Sequence, residues 1–133
     1  MRRMMAAAAA SCLAACSGGA GEAPDPPAPS GPATVLREAL ESADGLEVIM
    51  QDVRFAANME LPRHYHPGEE YIYVLEGEVT HIEEGQEDRL YRAGEALRIG
   101  VGKTHAARTG AEPARAVIFR VHRKGEPERV LVE

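Results

Sequence analysis

Short runs in which apolar and polar residues alternate fill the sequence from about residue 33 to its end. The run Glu70–Glu76 reads Glu-Tyr-Ile-Tyr-Val-Leu-Glu, and Ala114–Arg123 is similarly rich in β-branched residues. A period of two with β-branched and aromatic side chains is typical of strands. The pattern predicts ten strands: Thr34–Ala39, Leu46–Phe55, Glu60–Tyr65, Glu70–Glu76, Glu78–Glu83, Glu87–Arg92, Glu95–Ile99, His105–Thr109, Ala114–Arg123 and Arg129–Val132.

Turn residues separate these runs at nearly regular intervals, for example Pro67-Gly68 and Glu84-Gly85. Many short strands with turns between them favour an all-β fold, an antiparallel sandwich or barrel. One helical alternative remains, because the apolar spacing within Val35–Ala43 also suits a short helix.

The first fifteen residues have the composition of a secretory signal peptide. Arg2 and Arg3 precede an almost uncharged, alanine-rich run that is too short to span a membrane as a helix. The run ends in Leu-Ala-Ala-Cys, which resembles the bacterial lipobox and implies that Cys16 is lipidated and begins the mature chain. We therefore expect a lipid-anchored protein of the bacterial cell envelope. Cleavage near Ala20, which would release a soluble secreted protein, is the alternative.

Residues 16–32 combine Cys16 with a run of glycine, proline, serine and alanine, which is typical of a linker. Residues 33–133 then suit one domain with a single core. The other cysteine, Cys12, lies in the predicted signal peptide, so the domain has no thiol to form a disulfide or bind a metal. A net charge of −6 and the lack of tryptophan argue against a partner among nucleic acids, and against binding to anionic lipid by charge.

Candidate chemistry lies in the stretch His-Tyr-His-Pro-Gly-Glu-Glu that begins at His64. On a strand, His64 and His66 project to the same side, with Cα atoms about 6.5 Å apart. Pro67-Gly68 predicts a turn, after which a second strand can return the carboxylate of Glu70 to the two imidazoles. Two imidazoles and a carboxylate suit a divalent transition metal. The alternative is a pair of surface histidines beside a solvated glutamate.

The spacing His-x-His-x-x-x-Glu, followed by six residues and Gly77, resembles the first motif of the cupin superfamily. The resemblance implies a jelly-roll β-barrel in which His64, His66 and Glu70 bind a metal. Asn58 stands where the family usually has a glycine, but asparagine tolerates a positive φ.

A second cupin-like motif supplies the fourth ligand that this resemblance implies. Gly94, Gly102 and His105 are in register with it, whereas Gly100 replaces the usual proline and Thr109 the usual asparagine. The implied metal site is therefore His64, His66, Glu70 and His105. This donor set suits Fe, Mn, Ni, Cu or Zn and does not choose among them.

Two functions follow from the resemblance. The first is a small metal-dependent oxidoreductase, similar to cupin dioxygenases, that acts on a small organic molecule and in which Glu70 also serves as a base. The second is a non-enzymatic cupin, tethered to the membrane, that binds a metal or a small ligand. The fold alone does not decide between them.

Strand alternation assigns the neighbouring residues to faces. Ile72 and Val74 share the face of Glu70 and should line the barrel, whereas Glu69, Tyr71 and Tyr73 should face outward, where the tyrosines could form a homodimer contact. The remaining histidines, His81 and His122, fall in no motif, and we expect them at the surface or the rim without a role.

Overall fold

The computed structural model describes residues 31–133, which form an all-β domain. The predicted signal peptide (residues 1–15), Cys16 and most of the predicted linker lie outside the described residues. No described segment is a helix that is long and apolar enough to cross a membrane. The strands of the described part are β1 (Gly31–Ala39), β2 (Leu46–Phe55), β3 (Glu60–Tyr65), β4 (Glu69–Glu76), β5 (Glu78–Glu83), β6 (Arg89–Arg92), β7 (Ala96–Ile99), β8 (His105–Arg108), β9 (Ala114–Arg123) and β10 (Val130–Leu131).

The strands form two five-stranded antiparallel sheets, in the orders β1-β2-β9-β4-β7 and β10-β3-β8-β5-β6. Only β1-β2 and β5-β6 pair strands that follow each other in the sequence, so the chain otherwise passes between sheets. This is the antiparallel jelly-roll arrangement that the sequence predicted.

The observed strands lie close to the predicted ones, and four of the predicted strands begin and end at the same residues as the observed strands. The helical alternative for Val35–Ala43 is wrong, because Val35–Ala39 belongs to β1. This strand starts at Gly31, two residues before the expected domain boundary, and pairs along its length with β2. A short isolated helix is marginally stable, whereas the edge of β2 offers a ladder of hydrogen bonds.

The apolar core lies between the sheets, toward the end of β2 where Phe55 pairs with Ala114 of β9. Val53 and Phe55 of β2 pack with Ala114, Ala116 and Ile118 of β9. All five side chains are buried, because the period of two turns them to the inner face.

The turn after β4 depends on Gly77, the last residue of the first motif. Its φ is +70°, and a Cβ at this position would lie 2.4 Å from the carbonyl oxygen of Pro113. Any side chain there would be both strained and in collision with the backbone that leads into β9. The glycine therefore lets β4 end directly against β9.

Candidate metal centre

Three buried histidines meet inside the barrel. His64 on β3 and His105 on β8 are direct cross-strand partners, and His66 follows the end of β3. Their ring centroids lie 4.3 to 5.2 Å apart. One nitrogen from each ring lies within 4.8 Å of the others, so the three imidazoles could hold one metal ion.

Backbone carbonyl groups determine which nitrogen of each ring carries the proton. His64 Nδ1 lies 2.8 Å from the carbonyl oxygen of Pro62, and His105 Nδ1 lies 2.9 Å from that of Lys103. His66 Nδ1 makes the equivalent bond to the carbonyl oxygen of Glu128. A carbonyl oxygen can only accept, so each Nδ1–H donates and each neutral ring keeps a lone pair on Nε2.

Glu70 on β4 brings a buried carboxylate to these lone pairs. Its Oε2 lies 3.2 Å from His66 Nε2 and 3.3 Å from His105 Nε2. The Nε2 atom of His66 is buried and has no hydrogen-bond partner within the described chain. The sequence prediction that Glu70 returns to the imidazoles thus agrees with its position.

The donor atoms fit a transition metal. Around an ion with bonds of about 2.1 Å, neighbouring donors lie roughly 3.0 to 3.4 Å apart. The two distances from Glu70 Oε2 fall in this range. Lone pairs that face a carboxylate without a proton between them repel one another, and a bound cation would remove that repulsion. A backbone acceptor behind each imidazole is also a common arrangement for histidine ligands.

Burial keeps one of the imidazoles in the form that binds metal. Burial lowers the pKa of His64 to about 4. The neighbouring His105 and His66 also lower this pKa, whereas the hydrogen bond to the Pro62 carbonyl raises it. His64 is therefore neutral at pH 7, as a metal ligand must be.

Arg120 on β9 completes the surroundings of Glu70, and the sequence analysis missed it. Its Nη2 and Nε atoms lie 2.8 and 3.0 Å from Glu70 Oε1, and its Nη1 donates to Gln51. Burial would raise the pKa of Glu70, but the net direction is below the usual range, and the charge of the Arg120 guanidinium acts in that direction. The carboxylate is therefore ionised.

A signal for Arg120 was present in the sequence. Ala114, Ala116 and Ile118 form the buried face of β9, and Arg120 occupies the next position on the same face. A charged residue at a position where alternation predicts burial needs a partner inside the barrel. The identity of that partner depends on the pairing of β9 with β4, in which Glu70 lies opposite Arg120.

The expectation that His122 lies at the surface is wrong. Its side chain is only 1% exposed, and its Nε2 lies 3.0 Å from Glu47 Oε1. The reason is again strand parity, since His122 follows Arg120 on the inner face of β9. His122 does not line the cavity beside the imidazoles.

His81 lies closer to the site than the sequence suggested. It lines the same cavity as the three imidazoles, and its ring centroid is 5.7 Å from that of His105. Its Nε2 lies 3.4 Å from Glu83 Oε2. Nothing in the local sequence marked this position, because no motif contains it.

The assignments of Glu69 and its neighbours to faces are confirmed. Glu69 points outward and pairs with Arg98, while Tyr71 and Tyr73 are exposed. Ile72 and Val74 line the cavity, as alternation predicted.

Two of the three departures from the motifs, Asn58 and Thr109, also have structural explanations. Asn58 adopts a φ of +54°, the conformation that asparagine tolerates in place of glycine. The hydroxyl of the buried Thr109 accepts from the Met59 amide at 2.9 Å and donates to the Ala56 carbonyl at 2.6 Å. These hydrogen bonds of Thr109 connect the end of β8 to the turn between β2 and β3.

Beside the imidazoles lies a cavity of about 310 Å³. Pockets for small molecules in proteins range from about 300 to 1,000 Å³, so this volume admits one small organic molecule. The metal centre and the cavity together form the candidate site.

Comparison with known protein families gives one match, to a model described as "Cupin domain", which covers residues 51–120. This range is more than half of the 133 residues and contains both motifs. No curated protein matches the sequence closely enough to be compared.

Several solved structures resemble the domain. The DMSP lyase DddQ from Ruegeria pomeroyi DSS-3 is 26% identical, with a TM-score of 0.58 over 77% of this chain and 52% of that chain. An oxalate oxidase in complex with the substrate analogue glycolate is 30% identical, with a TM-score of 0.55 over 64% of this chain and 46% of that chain. This chain therefore spans about half the length of both enzymes.

A third structure is matched over most of its own length. It is an uncharacterized protein with a double-stranded β-helix domain from Klebsiella pneumoniae subsp. pneumoniae MGH 78578. It is 21% identical, with a TM-score of 0.59 over 81% of this chain and 90% of that chain. At this identity, the likeness supports the fold alone.

Proposed function

The chain belongs to the cupin domain family, and from this premise we propose that it is a small metal-dependent oxidoreductase that acts on a small organic molecule. The metal is a divalent transition metal, and Fe, Mn, Ni, Cu and Zn all suit the donors. The ligands are His64, His66, Glu70 and His105.

One observation carries this proposal. Three Nε2 lone pairs and one ionised carboxylate converge in a buried site, and each imidazole is held by a backbone acceptor behind it. Arg120 engages only Oε1 of Glu70, so Oε2 and the imidazole lone pairs face one another as acceptors without a donor, which is unfavourable unless a cation lies between them. A bound metal would supply that charge and would act there as a Lewis acid or redox centre.

The protein's own residues would orient and shield the reacting molecule. The cavity beside the imidazoles would surround a small ligand with side chains of both sheets. Arg120 holds one oxygen of Glu70, so the other oxygen faces His66 and His105. The role of Glu70 as a base stays a prediction of the resemblance, because Arg120 holds one of its oxygens and its pKa lies below the usual range.

The structural neighbours support an enzyme and leave its reaction class open. The oxalate oxidase favours oxidation, whereas the DMSP lyase belongs to a different reaction class. Both are about twice as long as the matched part of this chain, so their activities serve here as support and not as assignments.

Metal content tests the first part of the proposal. The purified protein should carry about one equivalent of transition metal, and His64→Ala, His66→Ala and His105→Ala should each lose most of it. His81→Ala is the matched control, because His81 lines the cavity but is not a proposed ligand. Equal metal in all four variants by elemental analysis would contradict the proposed ligand set.

Turnover tests the second part. Oxygen uptake by the metal-loaded protein should rise with at least one member of a panel of catechols, flavonoids and diketones, and His105→Ala should abolish the rise. Product formation without oxygen uptake would indicate a lyase instead. Tight binding of a panel member without turnover would favour the alternative, a non-enzymatic binding protein.

A further inference from the structure

The cavity beside the imidazoles has a polar end and an apolar end, and the same strands build both. On β4, Glu70 is followed on the same face by Ile72 and Val74. On β9, Ile118 stands two residues from Arg120 on the inner face. The same order recurs on β2, β3 and β8, where the pairs are Gln51 with Val53, His64 with Leu61, and His105 with Ala107.

The apolar part extends well beyond the reach of the metal centre. Two residues of a strand span about 6.6 Å, so the wall from Glu70 to Val74 is about 13 Å long. Six apolar side chains characterise this wall, namely Phe55, Met59, Leu61, Ile72, Val79 and Ile118. All six pack in or against the apolar core, and the cavity opens onto the part of their surface that this packing leaves uncovered.

At the metal end, Glu70, Gln51 and Arg120 are already engaged with one another, and Arg54 and Arg129 are the other arginines of the lining. Arg120 is 11% exposed and bonds Glu70 and Gln51. A ligand that is charged along its whole length would lose hydration against the apolar wall without gaining new partners there. A ligand with one polar end would match both parts of the cavity.

We propose that the site binds a molecule with an oxygen-donor head, which reaches the metal centre, and an apolar body, such as an aromatic ring, which packs against Ile72, Val79 and Ile118. This inference rests on the proposed function, because the head is assigned to the metal. It adds the substrate class, which metal binding alone does not determine.

Two hydroxamic acids with the same head test the proposal. Acetohydroxamic acid carries a methyl group, and benzohydroxamic acid carries a phenyl ring. Zinc-loaded protein should bind the phenyl probe at least tenfold more tightly by calorimetry, after correction for the affinity of each probe for free zinc. Zinc is chosen because it has no redox chemistry of its own.

Substitutions on β4 and β5 identify the wall that is responsible. Ile72→Thr should reduce the preference for the phenyl probe at least threefold, because it places a hydroxyl group on the apolar wall. Val79→Thr, which nearly keeps the shape of valine, should act in the same direction. Tyr73→Thr is the matched control, since Tyr73 neighbours Ile72 but faces outward, and it should leave the preference unchanged.

The outcomes separate this inference from the one on which it rests. Equal corrected affinities for the two probes in zinc-loaded protein would contradict the proposal that the ligand has an apolar body. They would leave the proposed metal site unaffected. If both threonine variants keep the full preference for the phenyl probe, the assignment of Ile72 and Val79 to the wall that contacts the ligand is wrong. A protein that takes up no zinc would overturn the proposed function and this inference together.

Discussion

At the scale of single residues, Glu70 lies between neutral imidazoles and a charged guanidinium. One of its oxygens faces His66 and His105, and the other is held by Arg120. Buried charges are stable only when they are paired, and here the pairing also determines which oxygen faces the imidazoles. The carboxylate therefore connects the candidate metal site to the strand that supports it.

The charge of Glu70 leads to the first prediction. Glu70→Gln keeps the size of the side chain but removes its charge, so it should weaken metal binding about 10- to 100-fold. If the protein is an enzyme, turnover should remain lost in excess metal, because the base is missing. Metal titration and steady-state assays measure both effects.

Glu69→Gln is the internal control for this prediction. Glu69 lies next to Glu70 but points outward and pairs with Arg98. Its variant should bind metal like the unchanged protein. Loss of metal in Glu69→Gln together with full binding in Glu70→Gln would contradict the assignment of the ligand.

Arg120 leads to the second prediction. Arg120→Met leaves the buried carboxylate of Glu70 without its cation, so metal-free protein should lose about 3 kcal/mol of unfolding free energy. Added zinc should restore more stability to this variant than to the unchanged protein, because the ion supplies the missing positive charge. Denaturant unfolding with and without zinc measures the difference.

Arg115→Met is the matched control, because Arg115 pairs with Asp52 and is more exposed. Partly exposed ion pairs contribute up to about 1 kcal/mol to the free energy of unfolding. Added zinc should not restore the stability that Arg115→Met loses. The same zinc response in both variants would show that Arg120 does not act through Glu70.

At the scale of elements, β9 supports the turn that connects the first two proposed ligands, His64 and His66, to Glu70. A Cβ on Gly68 would lie 2.1 Å from the carbonyl oxygen of Val121 and 2.4 Å from the Cβ of His122. His122 is itself fixed inside the barrel by Glu47. The turn between β3 and β4 therefore rests directly on the backbone of β9.

This contact leads to the third prediction. Gly68→Ala should lower the unfolding free energy by about 1 to 3 kcal/mol, because the turn must move away from β9, and it should also reduce metal affinity. Gly110→Ala is the control, since a Cβ there meets nothing within 4 Å. Equal stability of the two variants in denaturant would contradict the close packing of the turn.

At the scale of the whole molecule, the site depends on a segment far along the chain. The Glu128 carbonyl oxygen accepts from His66 Nδ1, and β10 pairs with β3 beside His64. Segments separated by some sixty residues thus hold one imidazole in place. Tyr71 and Tyr73 are exposed on the outer face, and the homodimer contact expected of them stays a prediction.

Attachment to the membrane is the fourth prediction, and it belongs to the residues before the domain. Mass spectrometry of the mature protein should find a lipidated N-terminus at Cys16, and Cys16→Ala should move the protein out of the membrane fraction. A mature N-terminus beyond residue 16 would indicate a soluble secreted protein instead.

The sequence by itself determined the strands and the local part of the site. The period of two placed most strand ends within one or two residues, because alternation follows directly from the strand geometry. The relation among His64, His66 and Glu70 was also predictable, since a strand, a two-residue turn and a second strand lie within seven residues. His105 came from the second motif and lies opposite His64.

Only the tertiary structure decided which distant residues meet these groups. Arg120 lies opposite Glu70 because β9 pairs with β4 in one register, and the same register buries His122. Residues 31–39 form a strand because β2 offers them a free edge, although their local spacing also suited a helix. The physical reason is the same in each case: pairing between strands far apart in the sequence depends on the free energy of the whole barrel, which no local pattern contains.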